Sequence, residues 1–418
     1  MVALALTTHV SAQTLEVLHT FAGGSDGYNP ASGLVMDAKR NLYGTTADGG
    51  SGNAGTIFKL SPGANGWKET VIYSFSGADG AEPLAGLILD ATGNLYGTTA
   101  SGGNLHYCRT AGCGEVFRLS RGSTGVWELT ALYKFTGNSD GGEPYAGVIF
   151  DGAGNLYGTT VASGSYPCSV EFNGCGVIFE LTPTVKGPWT ETVLHSFTGG
   201  SDGENPAASL LMDAAGNLYG TDVNGGSGAC TYGCGVAFEL SPASNGAWNF
   251  TILHSFESLS DGAFPSAPLI SDASGNLYGT TVRGGSMCGC GTVFELSPTN
   301  DGTWTFTSLH QFGGGLDGGL PLAPVVFDSA GNLYGTTDYG GLKIARGGYC
   351  ESAQLGCGIV FKLAPVSDRW DITTLYAFDG GPDGGSPTAG LVLDDEGNLY
   401  GTTTENITEK GVVFKVTP

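Results

Sequence analysis

One pentapeptide constrains this chain more than any other feature. Asn-Leu-Tyr-Gly-Thr occurs seven times, starting at Asn41, Asn94, Asn155, Asn217, Asn276, Asn332 and Asn398, at spacings of 53, 61, 62, 59, 56 and 66 residues. A period of that size marks a repeat architecture, in which each unit is one supersecondary element that buries its faces against its neighbours. The same segments recur around every copy. In the second unit they are residues 86–90, short and apolar; a turn at 91–93; 94–99, holding the pentapeptide; a loop; 114–119; a second turn; and 127–135, opening on Trp127. All are rich in β-branched and aromatic residues and bounded by Gly, Pro, Asn and Asp, and none has the length or 3.6-residue period of a helix. Each unit therefore reads as four strands, A to D. The Asp-x-x-Gly-Asn corner between A and B suits a tight hairpin; only the first copy departs, with Arg40 in place of Gly.

A lone four-stranded sheet leaves two apolar faces uncovered. Seven of them arranged around an axis cover one another, so the expected fold is all-β, a seven-bladed β-propeller with four antiparallel strands per blade. Recurring apolar positions such as Tyr96 and Phe117 become inter-blade core. The last segment, 412–418, is a C strand with no D after it, and the first, 15–21, matches the end of a D strand. The N-terminal strand is thus expected to complete the last blade, leaving no edge open. The six tryptophans agree: Trp67, Trp127, Trp189, Trp248, Trp304 and Trp370 open one D strand each.

The pattern Gly-Leu-Val-Leu-Asp, Gly-Asn-Leu-Tyr-Gly-Thr-Thr, Gly-Val-Val-Phe-Lys-Val, at 390–394, 397–403 and 411–416, resembles the GloVer (Gloeo/Verruco) tandem repeat of bacterial surface and secreted proteins. It is more distantly similar to NHL-repeat propellers. The resemblance implies a bacterial exported protein and carries no settled biochemical activity. Members often end in a sorting or anchor segment, and this sequence stops at its last strand, which leaves anchoring open.

Charged residues are 13% and apolar residues 40% of the 418, which excludes a highly charged disordered chain. Net charge is −23 with 16 Lys and Arg. That field repels phosphate backbones and anionic membranes, so nucleic acid is not an expected partner. No apolar stretch reaches the roughly 20 residues of a membrane helix. Residues 1–12, ending in Val10-Ser11-Ala12, read as a truncated signal peptide without its basic start, leaving 13–418 as a single propeller. A secreted, periplasmic or cell-surface location follows, for a protein expected to be monomeric.

Length variation concentrates in the B–C loops, from 7 residues between Thr403 and Gly411 to 20 between Thr337 and Gly358. The Asp-x-x-Gly-Asn side is expected to be uniform. All ten cysteines fall in B–C loops as local pairs: Cys108 and Cys113, Cys168 and Cys175, Cys230 and Cys234, Cys288 and Cys290, Cys350 and Cys357. This reads as five disulfides that fix loop shape in an oxidising compartment. The pair Cys288 and Cys290 would close an unusually small ring. Zinc needs four convergent ligands, whereas these pairs lie a blade apart with only His106 nearby.

The D–A linkers carry Asp-Gly-x-x-Pro at Asp26, Asp79, Asp140, Asp202, Asp261, Asp317 and Asp383. Turn chemistry is the simpler role; calcium, which wants six to eight oxygens, is the alternative, and no other cofactor is expected. His19, His195, His254 and His310 share one strand-D position with Tyr73, Tyr133 and Tyr376, which marks packing rather than catalysis. The B–C loops present His106, Tyr107, Arg109, Tyr166, Phe172, Tyr232, Arg283, Tyr339, Lys343, Arg346 and Tyr349. Aromatic faces with polar neighbours suit a glycan or a surface protein. The expected function is an exported, non-catalytic binding scaffold using the B–C face. The alternatives are a carbohydrate-active propeller enzyme, a lyase or hydrolase built on His106, Tyr107 or Arg109 with acids in a deep pocket, and a purely structural surface protein.

Overall fold

The computed structural model describes residues 13–104, 108, 111–166, 168, 174–185, 187–258, 260–285, 288–341, 350, 356–405, 408 and 410–418. The signal-peptide reading of 1–12 lies outside them. The described strands form seven four-stranded antiparallel sheets, and a short 3-10 turn stands at Gly24–Asp26. Blade two shows the plan: A is Ile88–Leu89, B is Leu95–Thr99, C is Glu115–Arg121 and D is Trp127–Lys134. This is a seven-bladed β-propeller. Strand A is shorter than its five-residue apolar segment suggests, with only two residues paired in every blade. The linker before it runs past the axis, where Gly147 approaches the preceding blade so closely that a Cβ would lie 2.9 Å from the carbonyl oxygen of Gly86.

The ring closes as expected. Thr14–Thr20 pairs antiparallel with Val412–Thr417, the C strand of blade seven, and the amide of Phe21 donates to the Gly411 carbonyl at 3.2 Å. Every blade also carries one β-bulge between C and D; in blade two Val116 faces Tyr133 while Phe117 faces Ala131, so Leu132 is the extra residue. The bulge bends strand D at the place where it enters the linker to the next blade.

The core lies between blades, in clusters that each draw on two neighbours. Phe117, Phe179 and Phe238 of strand C are fully buried, and the strand-B Tyr of one blade meets the strand-D Trp of the next, as Tyr219 does Trp304 at 6.1 Å between ring centroids. A second inter-blade layer is polar. The strand-B threonine hydroxyl donates to a backbone carbonyl of the following blade: Thr98 to Ala146, Thr221 to Ala267, and, across the closing seam, Thr402 to Ser32. These buried hydroxyls are satisfied only when the next blade is docked, which couples register to closure.

Candidate functional site

The D–A linkers and the B–C loops lie at the same end of the ring, and backbone pairing joins them. In blade three Gly142 of the linker bridges Ala162 at the start of the loop, and the same bridge occurs in all seven blades, from Tyr28 with Asp48 to Gly385 with Glu405. Two residues beyond the Asp-Gly pair stands a residue in left-handed conformation: Asn29, Glu82, Glu143, Asn205, Phe264, Leu320 or Ser386. Its amide donates to the residue just before strand C of the preceding blade. In five blades that acceptor is the second cysteine, as Glu143 to Cys113 at 2.9 Å and Ser386 to Cys357 at 2.9 Å. Ala54 and Lys410 take the position in blades one and seven.

All five cysteine pairs are disulfide-bonded, including Cys288 with Cys290, at Cα separations of 5.1 to 5.5 Å. The second cysteine of each pair is buried. The disulfides therefore tie loops of different length to one invariant backbone layer.

The seven linker aspartates and the His or Tyr of strand D turn out to be partners. Tyr133 donates to Asp140 at 3.0 Å and Tyr376 to Asp383 at 2.8 Å; His254 Nε2 lies 3.0 Å from Asp261. Each aspartate also accepts the amide of a residue three or four positions before it, as Asp140 does from Thr136. These bonds fold the linker, and at Asp261 and Asp383 the second carboxylate oxygen is buried without a hydrogen-bond partner. At Asp26 burial works to raise the pKa, but hydrogen bonds from His19 and the Ala22 amide outweigh it and hold the group below the ordinary aspartate value. Asp383 is the exception: burial, with Asp379 beside it, pushes it up to about 7. The one group of three potential metal ligands among the described residues is His19, Asp26 and Glu69. In the other blades the place of Glu69 is taken by Leu129, Glu191, Phe250, Phe306, Ile372 and Leu15. Phe250 stacks on His195 at 4.2 Å and Phe306 on His254 at 4.4 Å, which confirms a packing role for those histidines.

Of the aromatic and basic loop residues expected to bind, His106, Tyr107, Arg109, Phe172, Lys343, Arg346 and Tyr349 lie outside the described residues. Tyr166 and Tyr232 are exposed, at 48% and 67%. Arg283 is exposed as well. Tyr339 differs: its hydroxyl donates to Cys290 Sγ at 2.9 Å and its ring is half-buried, so it covers the disulfide of the neighbouring blade.

Around the axis runs a cavity of about 340 Å³ to which all seven blades contribute. Its walls are Ala, Gly, Ser, Pro, Leu, Thr and Tyr, with no charged side chain. A hydrolase or lyase pocket with paired carboxylates is not found there.

The family model described as the Gloeobacter/Verrucomicrobia repeat matches residues 5–166, 105–350 and 231–418. The chain belongs to that repeat family. No curated protein matches it in sequence. Among solved structures, it is similar to a protein from B. thetaiotaomicron described as the extracellular domain of a hybrid two-component system, with TM-score 0.54 and 14% identity over 97% of this chain. The chain spans 42% of that protein's length. A protein from Bacteroides uniformis described as a 6-phosphogluconolactonase matches with TM-score 0.51, 14% identity and 88% coverage of each chain. At such identities the likeness is one of fold alone.

The opposite end of this family member corrects the expectation of uniformity. Its backbone is uniform: Asp90 accepts the Asn94 amide at 3.0 Å, the Asn94 side chain at 2.7 Å and the Tyr96 hydroxyl at 3.2 Å, and all seven copies repeat this. Its charge is not uniform. The fourth residue of strand C is Lys362, Lys415, Lys59 and Arg118 in four consecutive blades around the ring, then Glu180, Glu239 and Glu295 in the remaining three. Lys59, Lys362 and Lys415 sit 5.6 to 5.9 Å from the ring centres of Tyr43, Tyr334 and Tyr400. Glu180 instead accepts from the Tyr157 hydroxyl at 2.9 Å and Glu295 from Tyr278 at 3.2 Å. Comparing charge at one repeat position across copies would have revealed this division from the sequence.

A second departure lies beneath the loops. Six blades end strand B in Thr, and Asp222 takes that place in blade four. Thr46, Thr281 and Thr337 donate to a loop carbonyl two residues on, whereas Asp222 is fully buried and neither of its oxygens makes a hydrogen bond. Burial pushes its pKa well above the ordinary aspartate value, against a smaller opposing effect of the nearby Asn224 and Glu204 amides.

Proposed function

We propose that this chain is an exported, non-catalytic binding scaffold that presents its loop-bearing face to a glycan or a surface protein. One observation carries the reading: every disulfide stiffens a B–C loop, all of them are at one end of the ring, and each is anchored to the same backbone layer. Loops held by a rigid scaffold are where recognition residues collect. Local disulfides lower the entropy lost when such loops engage a ligand, which raises affinity without new contacts. Five disulfides with no free cysteine suit an oxidising compartment outside the cytosol. The uncharged axial cavity favours binding over hydrolysis or elimination, which need an acid and a base at the reacting bond. Tyr166 and Tyr232 are the exposed aromatic faces on which a sugar ring would stack.

The test is a glycan array and a pull-down from bacterial surface proteins, with the wild type beside a Tyr166→Ser, Tyr232→Ser double variant. The expected result is a retained ligand whose affinity drops at least about tenfold in the variant, at unchanged melting temperature. Turnover of a polysaccharide with no retained ligand would replace this reading with the enzymatic one.

A further inference from the structure

At the end away from the loops, a groove of about 670 Å³ lies between blades one and two, within the range of small-molecule sites. Its walls include Lys39, Lys59 and Arg121 together with Tyr43 and Trp127. Lys39 belongs to the A–B turn of blade one, where the other blades have Thr92, Ala153, Ala215, Ser274, Ala330 and Glu396. Arg121 ends strand C of blade two, where the other blades have Pro62, Pro183, Pro242, Pro298, Pro365 and Pro418. Two departures from the repeat, in different blades, thus meet in one groove and beside a third cation. Packing does not require either of them, since six copies of the same blade do without.

The electrostatics point the same way. Among the described residues none of the three cations forms an ion pair. The two carboxylates in the groove, Asp37 and Asp90, are occupied by their own turns, where each accepts from an Asn amide, an Asn side chain and a Tyr hydroxyl. Lys59 is held below the ordinary lysine value, first by burial and then by Arg121 and Lys39, with Asp37 opposing. Aromatic faces keep the cations in the groove: Arg121 lies 4.8 Å over Trp127 and Lys59 5.6 Å over Tyr43. In a chain of net charge −23, three converging cations without a paired anion form a local exception to the overall field.

We infer that this groove binds a small molecule carrying an oxyanion, a carboxylate or a phosphate, held between Lys39, Lys59 and Arg121. The Arg121 guanidinium offers a planar fork for two oxygens, and the lysines supply point charges from the other wall. The site is at the opposite end from the loops and does not depend on the function proposed for them.

Calorimetric titration of the full chain with glucuronate, with glucose 6-phosphate and with glucose tests it. At least one of the two anions binds with one-to-one stoichiometry and weakens as salt rises, glucose does not bind, and the stronger anion identifies the group recognised. A Lys39→Thr, Arg121→Pro variant, which restores the residues of other blades, and a separate Lys59→Glu variant, matching blades three to five, each bind at least about tenfold more weakly at unchanged melting temperature. The Tyr166→Ser, Tyr232→Ser variant binds as the wild type does. Absence of binding by both anions, or binding that survives both groove variants, overturns the inference, as does loss of binding in the loop variant.

Discussion

At the end of the ring that carries the A–B and C–D turns, seven aspartates make the same hydrogen bonds, and the copies differ in which charges they display. At the other end seven linkers make backbone pairs that are equally regular, and the copies differ in how much chain they add: 7 to 20 residues, disulfide-tied in blades two to six. Each end thus separates a part that must repeat from a part that is free to vary. The repeating part satisfies buried backbone groups, where an unpaired donor is expensive. The varying part lies beyond that layer. On the turn side it takes the form of side-chain charge, because hairpins have no room for insertions. On the loop side it takes the form of length, because a bridge beneath each loop holds its base whatever its size.

The contrast can be broken at either layer. The largest effect is expected from Asp213→Ala on the turn side, which strips acceptors from the Ala215 and Asn217 amides, the Asn217 side chain and the Tyr219 hydroxyl. Urea unfolding should show a loss of about 3 kcal/mol. Hydrogen bonds to Asn217 and Ala215 hold this carboxylate below the ordinary aspartate value despite burial. A lowered folded value means stability that is lost as pH falls, so wild type and variant should converge in acid.

Asp222→Thr restores the repeat at the base of a B–C loop and should stabilise, by about 2 kcal/mol near neutral pH, since it removes a buried carboxyl without partners. The sign with pH is opposite to that of Asp213. The folded pKa lies above the unfolded one, so the wild type loses stability as pH rises from the ordinary aspartate value upward. The advantage of the variant should vanish below that value and grow above it, in thermal melts across pH. A gain that did not change with pH would mean that the carboxyl has the same pKa in the folded and unfolded chain.

The smallest effect on stability belongs to the loops themselves. Cys230→Ala, Cys234→Ala should cost about 1 kcal/mol, because a ring with a sequence separation of 4 removes little chain entropy. A loss equal to that of Asp213→Ala would show that the loops are structural and not merely carried.

Much of this was legible from the repeat. Seven copies identified the strands, the Phe117 and Tyr96 core positions, the closing role of the N-terminal segment and the five disulfides, because each follows from local pattern or from adjacency in sequence. The His or Tyr of strand D and the Asp of the linker were also visible, but as two separate repeat positions. Their pairing depends on the bulge at residues such as Leu132, which pattern does not reveal. Nor does pattern show that the Tyr339 hydroxyl caps Cys290, a partner 49 residues away in the chain.

By itself, the sequence determined the number of blades, their strand order and the end at which variation collects, since these rest on period, turn chemistry and length. Only the tertiary structure decided which departures from the repeat converge. Lys39 and Arg121 are 82 residues apart in the chain and share one groove. The reason is geometric: each inter-blade surface is built from strands and turns of two successive blades, so its composition is written in two copies and read only where they meet.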